Sequence, residues 1–299
     1  MSRIHEALKR AEEEKTAAKT NELPSPASLE ANISPAGGGV MEPAPLPVMS
    51  AGALTYEALL ARCPRSSWKP DAKRMLFFDP SKHHERGMEE FRTLRSRLYQ
   101  IREKRLLKTV MVASALPAEG KTFVAANLSL VLARQHGRRV ILVDADLRRS
   151  QLHVNLGAAP NPGLAEYLLG EADEYAVIQR GSLDNLFFIP GGKMPSNPSE
   201  LIANGRLKTL LQRLSAAFDW VIIDSPPAIP VSDASRMAEL CDGVLLVLLA
   251  AKTPFDMAQR AHKEFHNMPV LGVVLNRVAP RDTYTSYYYY GKPAQKGKS

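Results

Sequence analysis

Residues 115–122, which read Ala-Leu-Pro-Ala-Glu-Gly-Lys-Thr, are the part of the chain whose types and spacing most clearly suggest chemistry. They follow an apolar run and precede a helical run, which is the strand, loop and helix order of a phosphate-binding loop, or P-loop. Backbone N–H groups and the helix N-terminus would hold phosphate oxygens. Lys121 would reach the β- and γ-phosphates and the Thr122 hydroxyl would bind Mg²⁺, although alanine replaces the usual first glycine. The residues expected to contact ATP here are Ala118, Glu119, Gly120, Lys121, Thr122 and Phe123.

Three aspartates at the ends of other apolar runs are the expected partners of this loop. Asp144 and Asp146 follow one such run, and Asp224 follows another. In open parallel sheets ligands bind beyond the carboxyl ends of the strands, and Mg²⁺ prefers oxygen ligands. We expect Asp146 and Asp224 to bind the metal together with Thr122, and Asp144 to accept the proton of an attacking hydroxyl group. An aspartate after a strand can instead cap the next helix or form a turn, and this alternative stays open.

Apolar runs alternate with helical stretches from about residue 83 onwards. Several runs are apolar at successive positions, which is typical of strands buried on both faces of a parallel sheet. The alternation predicts an α/β fold, P-loop NTPase-like, with a mostly parallel sheet flanked by helices on both sides. The predicted strands are 108–114, 139–144, 185–190, 220–224, 243–250 and 270–276, and helices are predicted over 84–104 and 121–135.

The chain divides by composition into four segments. Residues 1–20 have the spacing of a short amphipathic helix, and residues 21–82, rich in Pro, Ala, Gly and Ser, predict a flexible linker. Residues 83–279 form the predicted catalytic domain, and residues 280–299 form a tyrosine-rich tail.

Composition excludes several classes of protein. The longest apolar run, 243–251, is shorter than the roughly 20 residues that cross a bilayer, and the N-terminus has no secretory signal, so we expect a cytoplasmic protein. Cys63 and Cys241 are far apart and are expected to be ordinary reduced thiols. The formal net charge of +8 permits contact with an acidic surface but selects none.

Taken together, the motifs resemble those of the bacterial tyrosine kinases of polysaccharide export, which use Walker motifs. The resemblance runs from about Lys82 to the C-terminus. It rests on the P-loop, on Asp144-Ala-Asp-Leu-Arg, on Asp224-Ser-Pro-Pro, on Pro195-Ser-Asn-Pro-Ser-Glu-Leu and on the tyrosines of the tail. The first eight residues are similar to those of the subgroup found beside exosortase-linked exopolysaccharide genes. The resemblance implies an ATP-dependent protein-tyrosine autokinase that regulates exopolysaccharide chain length or export.

The same resemblance implies roles for residues outside the P-loop. Glu89, Arg92 and Arg95 match the family's ring-forming motif, and three-residue steps keep them near one helix face, although a solvated charged face is the alternative. Asn276 and Arg277 would contact adenine, but an asparagine that closes a strand can also be structural. The implied phosphoacceptors are Tyr284, Tyr287, Tyr288, Tyr289 and Tyr290.

Partners are implied in the same way. The family's kinases form homo-oligomeric rings, are activated by a membrane-spanning chain-length regulator, and have a tyrosine phosphatase as a counterpart. Because no transmembrane segment is evident in this sequence, we expect the regulator to be a separate polypeptide that holds the kinase at the inner face of the membrane. Nucleic-acid binding is not expected, because the basic residues are scattered among acids.

Two other functions stay open. Partition and septum-positioning ATPases share the sheet and the P-loop, but they carry a second lysine early in the loop, where this chain has Leu116. A non-catalytic assembly module gated by ATP would hydrolyse it slowly without forming phosphotyrosine.

Overall fold

A seven-stranded β-sheet forms the centre of the computed structural model, which describes residues 53–63, 65–76, 87–181 and 183–279. Across the sheet the order is β3-β4-β2-β5-β1-β6-β7, and of these strands β3 alone runs antiparallel to its neighbour. The predicted mostly parallel sheet is therefore confirmed. The strands are β1 (Thr109–Ser114), β2 (Val140–Asp144), β3 (Gln179–Arg180), β4 (Leu186–Ile189), β5 (Trp220–Asp224), β6 (Gly243–Leu249) and β7 (Val270–Asn276).

Helices cover both faces of the sheet, and a hydrophobic core lies on each face. Ile141 of β2 packs in one core and the next residue, Leu142, packs in the other, because side chains alternate along a strand. The helices are α1 (Tyr56–Arg62), α2 (Met88–Lys104), α3 (Lys121–Ala133), α4 (Leu152–Leu156), α5 (Leu164–Leu169), α6 (Glu174–Val177), α7 (Pro198–Ala203), α8 (Arg206–Ala217), α9 (Asp233–Ala238) and α10 (Phe255–Glu264). Helix α8 lines the first core, and α2 and α3 line the second.

The buried apolar runs set the positions of the central strands. Every residue of β1, β2, β4 and β5 is buried, so apolar content alone marks them in the sequence. Strands β5 and β7 have the predicted bounds, and the other predicted strands end within one residue of the observed ones. Helix α3 stops two residues before the predicted end, at Ala133. The predicted start of α2, at residue 84, lies outside the described residues.

Residues 53–76, here called the N-terminal arm, differ from the predicted linker that extends to residue 82. The arm contains α1, and its side chains enter both cores: Leu59 and Cys63 pack in one, Trp68 and Met75 in the other. Leu59 and Cys63 have the four-residue spacing of a helix within a largely apolar stretch, which the prediction of a linker overlooked. All four side chains are almost fully buried. The predicted helix over 1–20 and linker residues 21–52 lie outside the described residues.

Two expectations from composition can be checked in the described residues. None of their helices combines the length and the apolar character that a membrane crossing needs. Cys63 and Cys241 are both free and buried, and burial raises the pKa of the Cys63 thiol to about 11. Both therefore behave as unreactive thiols at neutral pH.

Candidate active site

The P-loop connects β1 to α3 through two residues with left-handed backbone conformations. Ala118 has a φ of 65° and Gly120 a φ of 98°. A Cβ atom added at Gly120 would lie 2.0 Å from the amide nitrogen of Asn276, so any side chain there would clash with the end of β7. The loop therefore needs glycine at this position both for its backbone angle and for the close approach of Asn276.

Glu119 fixes the loop from inside and does not line the cavity beside it. Its side chain accepts a hydrogen bond from the N–H of Leu116 at 2.7 Å and another from the Thr253 hydroxyl, which follows β6. Its carbonyl oxygen accepts a bond from Asn276 Nδ2 at 2.9 Å. Glu119 therefore differs from the other predicted ATP contacts, because its carboxylate already accepts hydrogen bonds from within the protein. Leu116 is partly buried and packs against the core. It occupies the position at which the partition and septum-positioning ATPases carry their second lysine.

Lys121 lies at the first turn of α3 and contacts two of the three predicted aspartates. Its Nζ is 2.9 Å from Asp146 Oδ2 and 3.5 Å from Asp224 Oδ1. Although burial opposes the charged ammonium, the carboxylates of Asp224 and Asp146 raise the pKa of Lys121 above its ordinary value. The lysine is therefore charged and held between the ends of β2 and β5.

Asp144 is fully buried at the end of β2, beside Asp224 on the neighbouring strand. Its Oδ2 accepts hydrogen bonds from the Ser150 hydroxyl at 2.8 Å and from the N–H groups of Gln151 and Leu152, each at 3.1 Å. Its Oδ1 has no hydrogen-bond partner among the described residues. Burial, with a contribution from Asp224, raises the pKa of Asp144 to about 7. Oδ2 thus caps the start of α4, which is the alternative role expected of an aspartate after a strand. Oδ1 remains available to accept a proton.

The predicted metal ligands surround Lys121. Asp146 borders the cavity, and its Oδ1 accepts the N–H of Arg149 at 3.0 Å. Asp224 is 1% exposed, and burial raises its pKa although Lys121 and the Thr122 hydroxyl counteract the shift. In the described residues no three His, Cys, Asp or Glu side chains are arranged to hold a metal by themselves. A cation here would therefore need oxygen atoms from Thr122 and from a bound ligand.

A cavity of about 730 Å³ opens above these groups. Most of the charged residues along its wall are basic, and Asp146 is the single carboxylate among the described lining residues. Besides Pro117, Ala118, Gly120, Lys121, Thr122, Phe123, Asn276 and Arg277 of the predicted site, the wall contains Lys73, Arg74, Arg148, Arg149, Gln151, Asn155, Pro226, Pro227, Pro230 and Val231. Its size and positive charge suit a nucleoside triphosphate.

Sequence reasoning missed most of the basic wall. Arg148 is the last residue of the motif Asp144-Ala-Asp-Leu-Arg, so its place in the site could have been inferred from that motif. It donates hydrogen bonds at 2.9 Å to Asp233 from Nε and to Ser199 from Nη2. Ser199 belongs to the Pro195-Ser-Asn-Pro-Ser-Glu-Leu segment, which thereby fixes Arg148 at the rim of the cavity. Arg74 had no such signal, because it lies in a stretch with the composition of a linker.

Asn276 and Arg277 both line the cavity at the end of β7. The Asn276 amide is already bonded to the P-loop carbonyl of Glu119, and its Oδ1 accepts the N–H of Arg277 at 2.9 Å. Asn276 therefore has a structural role, and it lines the cavity as well.

The candidate ring residues lie on α2, and none of them lines the cavity. Glu89 and Arg92 form an ion pair near the start of the helix, and Glu89 is well exposed. Arg95 donates a hydrogen bond from Nη1 to the carbonyl oxygen of Val131 on α3 at 3.2 Å. Glu89 and Arg92 are thus paired with each other, whereas Arg95 is attached to the P-loop helix. The phosphoacceptor tyrosines 284 and 287–290 lie outside the described residues.

Comparison with known proteins agrees with this geometry. Residues 110–290 match the model of the CobQ/CobB/MinD/ParA nucleotide binding domain. The tyrosine-protein kinase YwqD of Bacillus subtilis is 34% identical over 205 residues, which are 68% of this chain and 86% of that protein. The tyrosine-protein kinase wzc of Salmonella typhimurium is 32% identical over 207 residues, but this chain spans only 29% of its length.

A solved structure gives the same result. The kinase domain of the Escherichia coli tyrosine kinase ETK superposes with a TM-score of 0.66 at 30% sequence identity, covering 72% of this chain and 84% of that domain. The β-sheet, the P-loop and the aspartates that meet at Lys121 are thus the parts of one catalytic domain. We conclude that the chain belongs to the bacterial tyrosine-protein kinases, on a nucleotide-binding domain of the CobQ/CobB/MinD/ParA family.

Proposed function

We propose that this kinase transfers the γ-phosphate of ATP to tyrosines of its own C-terminal tail, between subunits. The observation that carries the proposal is that Lys121 contacts both Asp146 and Asp224 beside the P-loop. The lysine side chain can reach phosphate oxygens from its place between the two carboxylates. The exposed cavity wall then admits both a nucleotide and an incoming hydroxyl group.

The residues present fit ATP with Mg²⁺. The Oδ1 atoms of Asp144 and Asp224, which have no hydrogen bond among the described residues, and the hydroxyl of Thr122 form a set of hard oxygen donors, which Mg²⁺ prefers. Asp146 and Asp224, with Thr122, would hold the cation. When bound, the metal would neutralise charge on the phosphates during transfer. The turn at Gly120 supplies the backbone cradle.

Asp144 is the proposed proton acceptor. A tyrosine hydroxyl has a pKa near 10, so it needs a base at neutral pH. Asp144 keeps Oδ1 without a hydrogen bond among the described residues, while its other oxygen is fixed by Ser150. Its pKa of about 7 suits a group that takes a proton during the reaction and releases it afterwards.

The assembly proposed for the chain is a homo-oligomeric ring that includes α2 contacts through Glu89, Arg92 and Arg95. A membrane-spanning chain-length regulator would activate it at the inner face of the membrane, and a tyrosine phosphatase would reset it. In this setting the kinase would regulate exopolysaccharide chain length or export. One observation supports the ring: Glu89 and Arg92 form an ion pair on α2, where Glu89 is well exposed.

A phosphotyrosine map after incubation with MgATP tests the proposal. We expect phosphate on tail tyrosines of the wild-type protein and none on Lys121→Met, because the methionine cannot supply the charge that faces the phosphates. The variant should keep its circular dichroism spectrum, which serves as the control for folding. ATP hydrolysis by the wild-type protein without phosphotyrosine would show an ATP-gated module instead. Full phosphotransfer by a folded Lys121→Met protein would overturn the P-loop assignment.

A further inference from the structure

The N-terminal arm reaches the active-site cavity. Lys73 and Arg74 line the same cavity as the P-loop, although they precede it in the chain by more than 40 residues. Both are basic, and they lie on the wall that Asn155 and Gln151 of the β2–α4 region also form. The site therefore receives charge from a segment that neither the P-loop nor the aspartate motif includes.

Asn127 of α3 holds the backbone of the arm in place. Its Nδ2 donates to the carbonyl oxygen of Arg74 at 2.8 Å, and its Oδ1 accepts the N–H of Leu76 at 2.8 Å. The same amide also donates to the Phe123 carbonyl at 2.9 Å. Asn127 is fully buried, with all of these amide contacts satisfied. It thus attaches the arm to the helix that begins at Lys121.

Helix α4 holds the arm from the other side. Arg74 Nη1 donates to Asn155 Oδ1 at 3.0 Å, and the N–H of Asp71 donates to the Asn155 carbonyl oxygen at 3.0 Å. Arg74 Nε also lies 3.3 Å from Asp71 Oδ2. The guanidinium group is nevertheless exposed over about half of its surface, since the Arg74 side chain is 54% exposed. It is oriented but still open to a ligand.

The strand order shows which part of a nucleotide Arg74 would meet. The P-loop follows β1, with β6 and β7 on one side and β5 and β2 on the other. A nucleotide with its base near Asn276 at the end of β7 extends its phosphates towards Asp224 and Asp146, at the ends of β5 and β2. Arg74 is bonded to Asn155 of α4, which follows β2, so a nucleotide in this orientation would turn its terminal phosphate, and not its base, towards Arg74.

We propose that Arg74 binds the terminal phosphate of ATP and that Asn127 is the positioning residue that keeps it there. The inference rests on the proposed function, because it needs ATP in this cavity. A guanidinium group that touches only the γ-phosphate distinguishes ATP from ADP, since ADP lacks the group it binds. The arm, whose composition is that of a linker, thereby makes the kinase selective for its triphosphate substrate.

Binding of MgATP and MgADP to the full chain, measured by isothermal titration calorimetry, tests the proposal. For Arg74→Ala we expect about a 10-fold loss of ATP affinity and less than about a 2-fold loss for ADP, the size expected for one charge-assisted hydrogen bond. Arg74→Lys should restore part of the ATP affinity. Lys69→Ala, which removes the same charge from an arm residue outside the cavity wall, should leave both affinities unchanged.

Asn127→Leu tests the positioning role. It should reduce the ratio of ADP to ATP dissociation constants as Arg74→Ala does, and combining the two changes should add no further loss of selectivity. A general weakening of the fold would instead lower both affinities together. Equal losses for ATP and ADP in Arg74→Ala, or an increase in KM for tail peptide with unchanged ATP affinity, would overturn the proposal. Failure of the wild-type protein to bind ATP would instead refute the proposed function itself.

Discussion

Asp144 combines two roles that usually compete for one carboxyl group. Its Oδ2 caps the start of α4 through Ser150, Gln151 and Leu152, while its Oδ1 lacks a hydrogen bond among the described residues. Burial beside Asp224 makes the ionised form costly, because desolvation and a neighbouring negative charge both favour the neutral acid. The fold thus keeps Asp144 as a base, although it does not fully compensate the negative charge of the ionised carboxylate.

Asp144→Asn should make the nucleotide-free protein more stable at high pH. The pKa of Asp144 is about 7 in the folded chain and about 4 when unfolded, so the folded state binds the extra proton between these values. Wild-type stability therefore falls as pH rises from about 4 to about 7, whereas the asparagine variant avoids this loss. We expect a gain on the order of 4 kcal/mol at pH 8, shrinking towards pH 4, in urea unfolding. A pH-independent difference would show that Asp144 ionises normally.

The same variant should lose phosphotransfer more than nucleotide binding, because asparagine keeps the shape of the side chain but cannot accept the tyrosine proton. Its matched control is Ser150→Ala, which removes one bond to Oδ2 and leaves the carboxyl group. If ATP affinity and turnover fell in parallel in Asp144→Asn, Asp144 would be a metal ligand.

At the scale of the element, the N-terminal arm shows how a short helix is held by few contacts. The seven residues of α1 bury one leucine, Leu59, whereas the adjacent Leu60 is 37% exposed. Its N-cap Thr55 accepts the N–H of Ala58 at 3.2 Å, which satisfies one end of the helix. An isolated helix of this length would not be stable in water, so its packing against the core maintains it.

Leu59→Ala should therefore destabilise the kinase domain by about 3 kcal/mol, the usual cost of emptying a buried leucine site. Leu60→Ala is the matched control, and it should cost less than about 1 kcal/mol because its side chain is partly in water. Denaturant unfolding of both variants measures the difference. Equal and small effects would mean that the arm does not contribute to the fold.

Helix α2 carries the prediction on assembly. Replacing Arg92 and Arg95 together by alanine should break higher oligomers and slow tail phosphorylation between subunits, measured by multi-angle light scattering and phosphotyrosine blotting. The exposed ion pair of Arg92 with Glu89 contributes little to stability, and Arg95 loses one bond to α3, so the monomer should stay folded. Arg97→Ala, on the same helix but outside the motif, is the control. Unchanged mass at every concentration would identify the three residues as a solvated helix face.

How well a part of the structure could be predicted from the sequence depended on the type of element to which it belongs. Strands such as β5 are apolar on both faces, so their positions can be predicted without knowledge of the fold. The P-loop and the aspartates at strand ends could be placed together because parallel strands bring their carboxyl ends to one edge. Arg74 could not be predicted, because its place depends on contacts with Asn127 and Asn155, which are distant in sequence.

At the scale of the whole molecule, the C-terminal tail is the proposed substrate of the kinase. Five of the nine tyrosines lie between residues 284 and 290, and the segment 280–299 also contains four basic residues and one aspartate. Each phosphate would add about −1.5 to −2 charges at neutral pH, so a few phosphates would reverse the charge of the segment. Repulsion between phosphorylated tails would loosen the ring, so that phosphorylation would end the autophosphorylation reaction.

Replacing Tyr284 and Tyr287–Tyr290 by phenylalanine should remove most autophosphorylation and leave ATP affinity unchanged. Incorporation of radiolabel from ATP measures the first quantity, and calorimetry measures the second. Tyr175→Phe, which changes a tyrosine of the described domain, is the matched control and should keep wild-type labelling. Wild-type labelling in the five-fold variant would show that the tail is not the substrate.

The ion pairs of Lys121 make nucleotide and metal binding depend on each other. If the ammonium group turned to phosphate oxygens, Asp146 and Asp224 would lose their counter-charge, which a bound divalent cation would supply. Thermodynamic linkage is reciprocal, so Mg²⁺ strengthens ATP binding by the same factor by which ATP strengthens Mg²⁺ binding. Metal-free ATP would leave two carboxylates without a partner beside a polyanion. The ion pairs of Lys121 should therefore make ATP bind more weakly without Mg²⁺ than with it.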